Sequence, residues 1–166
     1  MRIVFPYIAQ LHQIPHSLPI AIEIARRYPA SEVHVAYPGP SYLPFIRRLV
    51  AEYAPDVPLH YDCLSLDPLN RLRVAFGNVA WKAFALLSNR RYFDGFDAIA
   101  TPERTSLMLR RMGVIRPRMI WTRHGAGDRD VGFAPDVHQF NFVLMAGRRI
   151  ERRLLQRRLI RPGEYA

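Results

Sequence analysis

The residues best equipped for chemistry lie together in Trp121-Thr-Arg-His-Gly-Ala-Gly-Asp-Arg129. A short apolar run, 119–121, reads as a buried strand, and the residues that follow supply an imidazole, glycine amides, a carboxylate and a guanidinium. His124 is the one side chain there that exchanges a proton near neutral pH. Bare amides at Gly125 and Gly127, with Arg129, suit an anion. Together these groups have what is needed to deprotonate a hydroxyl beside a phosphate. Asp128 and Asp130 look like a carboxylate pair, but on a short strand they would point to opposite sides. Arg129 between them favours a turn cap or an ion pair over a metal site.

The elements that must position these residues follow from the apolar pattern. Continuous apolar runs at 3–8, 33–37, 59–64, 98–100, 119–121 and 142–146 read as six strands, and their lack of alternation implies burial on both faces of a mostly parallel sheet. Helical patterns fill the intervals, at 17–28, 42–53, 68–91, 102–112 and 148–160. Ser17 is placed to cap the first of these, Thr101-Pro102 to open the fourth and Gly113 to close it. The expected fold is a single α/β domain over 1–166, a doubly wound, Rossmann-like sheet of about six strands with helices on both faces.

In such sheets ligands bind beyond the carboxyl ends of the strands. That rule places His12 and His16, Thr101 and Arg104, and the 124–129 segment on one rim, as candidate substrate contacts around His124. His34 and His60 fall inside strands, where structural roles are expected, and His138 carries little information. His12 and His16 have the spacing of a helical metal pair, but Pro15 and Pro19 interrupt it and no third ligand is nearby, so no metal is assigned. Gly125-Ala-Gly127 follows the fifth strand rather than the first, and neither a dinucleotide fingerprint nor a P-loop lysine is present. Nicotinamide enzymes and P-loop NTPases are therefore disfavoured.

Formal net charge is +10, from 24 basic and 14 acidic residues, yet Lys82 is the only lysine. Several arginine doublets lie near predicted helix ends, where cations oppose the macrodipole. The last helix, 148–161, has Ile150, Leu154, Leu155 and Leu159 to bury, which fits a solvated helix on the sheet better than a nucleic-acid reader. One cysteine, Cys63, and the lack of a signal peptide fit the cytoplasm. The segment 68–91 carries Leu72, Phe76, Val79, Ala83, Phe84 and Leu87 as a stripe expected in the core. Trp81 and Leu86 lie off that stripe among Arg71, Arg73, Lys82, Arg90 and Arg91, which makes an interfacial helix on the inner face of an anionic membrane the alternative.

The first strand with Gln10-Leu-His-Gln-Ile-Pro-His-Ser-Leu-Pro19, then Trp121-Thr-Arg-His-Gly125 and Phe142-Val-Leu-Met-Ala-Gly147, resemble the amino-terminal domain of GT-B transferases, nearest to the bacterial CDP-glycerol glycerophosphotransferase-like proteins of cell-envelope polymer synthesis. The resemblance follows element order along the whole chain, and His124-Gly125 is its sharp motif. Better-known members continue Thr-Pro-Leu-Lys, whereas this chain continues Ala126-Gly-Asp-Arg129. The resemblance implies that His124 is the catalytic base, that no metal or other cofactor takes part, and that a nucleotide-activated donor such as CDP-glycerol or a nucleotide sugar is the substrate. It also implies a hydroxyl-bearing polymer or lipid-linked acceptor on this domain and a carboxyl-terminal donor domain. The closing residues Arg161-Pro-Gly-Glu-Tyr-Ala166 read as a turn into a further strand, so the chain is expected to be the amino-terminal half of a longer enzyme, inactive alone. Two other classes remain: a non-catalytic Rossmann-like binding or regulatory domain, and a basic nucleic-acid module using helix 148–161.

Overall fold

A computed structural model describes residues 1–8, 10–123 and 130–166. Strand β1 (Arg2–Pro6) leads through a 3-10 turn, Leu11–Gln13, into helix α1 (Ile14–Arg27). Then follow β2 (Glu32–Tyr37), α2 (Tyr42–Tyr53), β3 (Leu59–Cys63), α3 (Pro68–Ala75), α4 (Lys82–Ser88) and α5 (Arg90–Asp94). Strand β4 (Ala98–Thr101) passes through a 3-10 turn, Arg104–Leu107, into α6 (Met108–Arg111) and β5 (Arg118–Trp121). After two 3-10 turns, Asp130–Phe133 and Pro135–Gln139, come β6 (Phe142–Val143) and α7 (Arg148–Gln156).

The six strands are all parallel, in the order β3-β2-β1-β4-β5-β6. This is the doubly wound α/β fold read from the sequence. Alternate residues of the central strands β1, β4 and β5 enter separate cores, which is why those strands are almost wholly apolar, whereas edge strand β3 carries His60 and Asp62. Ile3, Phe5, Val33 and Val35 pack with Leu18, Ala21 and Ile22 of α1 and Ile46 of α2. Val4, Ile99, Met119 and Val143 face the other way, against Leu86 of α4, Phe93 of α5, Leu109 of α6 and Leu154 of α7. Beyond β6, Tyr165 bridges Val143 in parallel, and the Val143 amide donates to the Glu164 carbonyl at 2.8 Å.

Several local readings need correction. Helix α1 starts at Ile14, ahead of Ser17, with Pro15 in its amine-donor-free first turn. Ser17 is therefore not a cap; it is fully buried, and its hydroxyl donates to the Tyr7 phenol oxygen at 3.2 Å. Thr101 ends β4 instead of opening a helix, and a 3-10 turn precedes α6. Gly113 does close α6: at φ 87°, its amide donates to Arg110 and that of Val114 to Leu109, so the pair satisfies the last carbonyls.

The largest departure is at 68–91, which forms three short helices. Gly77 adopts φ 73°, a backbone state that ends α3, and Asn89 separates α4 from α5. The expected core stripe is inverted as a result. Leu86 is buried, while Leu72, Phe76, Phe84 and Leu87 are exposed. Helix α7 likewise ends at Gln156, short of residue 160, and Arg158 follows it at φ 55°.

Candidate functional site at the carboxyl edge of the sheet

Winding reverses between β1 and β4: the chain builds β2 and β3 on one side, then returns to build β5 and β6 on the other. Loops leaving β1 and β4 therefore diverge, and the crevice between them is the favoured ligand position of such sheets. The β1 exit presents Gln10, Leu11 and His12, and His16 follows in the first turn of α1; both histidines are exposed. Gln10, Leu11 and His12 form one wall of a cleft of about 640 Å³; Ser41, Tyr42 and the turn between α3 and α4 form the rest. Tyr42 is buried, and its phenol is raised above the ordinary tyrosine value, first by burial and then by the Glu103 carboxylate. The cleft thus has an apolar floor with neutral hydrogen-bonding groups at its rim, which suits a hydroxylated ligand.

On the β4 side, Thr101 is fully buried and its hydroxyl is used within the protein: it lies 2.9 Å from Ser106 Oγ and accepts the Glu103 amide at 3.1 Å. Arg104 pairs with Asp136, which ties this loop to the 3-10 turn before β6. Glu103 Oε2 receives Lys82 Nζ at 2.5 Å and the Thr105 hydroxyl at 2.8 Å. Its other oxygen, Oε1, is buried and has no hydrogen-bond partner among the described residues, and neither has the buried Thr122 hydroxyl at the end of β5. Buried polar atoms are nearly always satisfied, so these two oxygens on neighbouring strand ends stand out among the described residues.

At the β5 exit, Trp121 donates its indole N–H to the Pro102 carbonyl at 3.1 Å and stacks on Phe140 at 5.5 Å. Arg123 is buried, at φ 57°, where side chains other than glycine are uncommon. Its guanidinium lies 4.7 Å over Trp121 and 5.4 Å over Phe133, and donates to the Gly132 carbonyl at 3.4 Å. The backbone therefore turns at Arg123, ahead of the glycines expected to do so. Arg153 of α7 and Arg157, which follows that helix, also cover the Phe133 ring, at 4.1 and 5.5 Å, beside an arginine-lined cleft of about 660 Å³. Arg149, Arg153 and Arg157 all hold interactions within the chain.

His124, Gly125, Gly127, Asp128 and Arg129 lie outside the described residues, as does most of the segment on which the sequence reading centred. The described neighbours, Thr122 and Arg123, place its entry at the carboxyl end of β5. Of the other candidates, His12 lines the cleft and His16, on α1, does not, whereas Thr101 and Arg104 serve the β4 loop internally. Tyr42, Glu103 and Arg123 were missed. Glu103 and Arg123 adjoin named candidates, so the rim rule could have included them; nothing local singles out Tyr42.

The sequence matches no family model and no curated protein.

Two histidines of the strands have structural surroundings. His34 is buried on the sheet face, stacked on His60 at 4.5 Å, and bonds through Nδ1 to Asp62 at 2.6 Å. Among the described residues no group of three or more metal-ligating side chains is assembled, and no helix is long and apolar enough to cross a membrane.

Proposed function

We propose that this domain is the acceptor side of a transferase that uses a nucleotide-activated donor, with His124 as general base. The observation that carries the reading is the cleft between the β1 and β2 exits, lined by His12 and Tyr42, on the same carboxyl edge of the sheet as the strand end that leads into His124. In the proposed step His124 takes the proton of an acceptor hydroxyl. The hydroxyl oxygen bonds to the glycerol-bearing phosphorus, or to a sugar carbon, while the bond to the nucleotide phosphate breaks and its electron pair leaves with the nucleotide. Amides at Gly125 and Gly127, with Arg129, would neutralise the charge that develops on phosphate. Gln10 and His12, which line the cleft, offer hydrogen-bonding partners to acceptor hydroxyls.

The arginines around Phe133 favour a second reading, a polyanion grip along α7. Their interactions within the chain weigh against it. The test is transfer of labelled glycerol phosphate or sugar to membrane-derived acceptors by the natural polypeptide that contains this domain. A His124→Ala variant is expected to lose about 10²–10⁴-fold in turnover. A variant with unimpaired turnover contradicts the assignment, and absence of transfer by the parent protein with any nucleotide-activated donor favours a binding domain.

A further inference from the structure

The exposed apolar side chains gather in one place. Among the described residues eleven large apolar side chains are exposed, and six of them, Leu69, Leu72, Phe76, Trp81, Phe84 and Leu87, belong to α3, α4 and their junction, at 44–74% exposure. Leu69, Leu72 and Phe76 recur at helical spacing along α3, and Phe84 and Leu87 along α4. Trp81 joins the two rows: its ring lies 6.0 Å from Phe84, under the Arg73 guanidinium at 4.7 Å. Buried Asn70 fixes the arrangement, accepting the Trp81 amide at 2.7 Å and donating to its carbonyl at 3.3 Å. The exposed side chains thus lie on two short helices whose junction is braced by Asn70, and a cluster of exposed apolar side chains of this kind marks an interaction site.

Charge identifies the partner. Residues 68–93 contain Arg71, Arg73, Lys82, Arg90 and Arg91 and no acidic residue. Four exposed arginines elsewhere face carboxylates: Arg2 pairs with Glu32, Arg26 and Arg27 with Glu23, and Arg116 with Asp97. Around the patch only Lys82 has such a partner, Glu103, among the described residues. A second copy of the chain packed on this face would bring cation against cation.

We propose that α3, α4 and the start of α5 dock the protein onto an anionic lipid bilayer. The apolar side chains enter the headgroup boundary, the Trp81 indole sits at interfacial depth, and Arg71, Arg90 and Arg91 meet lipid phosphates. The turn between α3 and α4 also lines the cleft, so docking sets the cleft mouth at the bilayer surface. Docking needs no transfer chemistry, and its test is independent of that assay.

The full chain is mixed with phosphatidylcholine vesicles with and without phosphatidylglycerol, and bound protein is measured by co-sedimentation. The account expects binding to the anionic vesicles, weakened by added salt, with a blue shift of emission from Trp81 while buried Trp121 changes little. Leu72→Ser with Phe76→Ser weakens binding about 30-fold or more at unchanged circular dichroism. Arg90→Glu with Arg91→Glu weakens it about fivefold or more per residue. Ile115→Ser, an exposed apolar residue elsewhere, leaves it unchanged. Failure to bind, equal uptake by neutral vesicles, binding indifferent to the α3 substitutions, or dimerisation through this face without vesicle uptake overturns the proposal.

Discussion

At the scale of single residues, buried polar groups with several partners should be the least tolerant positions. Asn70 is fully buried, and its side chain joins Asp67 to both backbone groups of Trp81. Asn70→Ala leaves the Trp81 amide without its partner and should cost about 1–3 kcal/mol, read as a lowered urea midpoint at constant m-value. A neutral substitution would contradict the bracing role. The tyrosines give a pH dependence. Tyr7 is held far above the ordinary phenol value by burial, and Tyr92 by burial and then by the Asp62 carboxylate to which it donates at 2.5 Å. In the unfolded chain both ionise near pH 10, before they do in the fold. Their stabilisation is therefore complete below about pH 10 and declines as pH rises beyond it. Burial raises Tyr37, Tyr42, Tyr61 and the Cys63 thiol in the same direction, so they add to the loss, and each group that ionises only on unfolding contributes at most about 1.4 kcal/mol per pH unit. Tyr92→Phe should make the decline shallower without abolishing it; a urea midpoint as high at pH 11 as at pH 8 contradicts the account.

At the scale of elements, the backbone at Gly113 can be tested directly. Its φ of 87° closes α6, and a Cβ there would meet nothing within 4 Å, so any penalty for substitution is conformational rather than steric. Gly113→Ala should cost about 1 kcal/mol and Gly113→Asn less, measured by thermal unfolding. This cap was legible because a glycine after a basic helical end has few other uses. The central strands were legible for a similar reason: Ile3 and Phe5 face one core while Val4 between them faces the other, which leaves no polar face to confuse the pattern. The 68–91 segment was not. Its apolar spacing fits a core stripe and a docking stripe equally well, and only the packing of Leu86 under α4 decides between them. Tyr42 and Glu103 were hidden because their relation crosses from the β2 side of the rim to the β4 side, a contact that no local pattern records.

At the scale of the whole molecule, the reversal of winding between β1 and β4 gathers the chemistry. It brings the His12 loop, the Glu103 loop and the chain that enters 124–129 to one carboxyl edge, while α3 and α4 carry an apolar, cationic surface to the lip of the same cleft. A hydroxyl acceptor held at a bilayer is the substrate class we propose from these two features. The central claim is that His124 acts as the base. The measurement that bears on it most directly is the pH dependence of kcat/KM for transfer in the natural polypeptide, compared with that of His124→Ala. The account predicts a parent profile that rises through about pH 6–7, the ordinary imidazole range, and a variant that loses about 10²–10⁴-fold along with that rise. A variant that keeps the parent's turnover, or keeps the same rising limb, would contradict it.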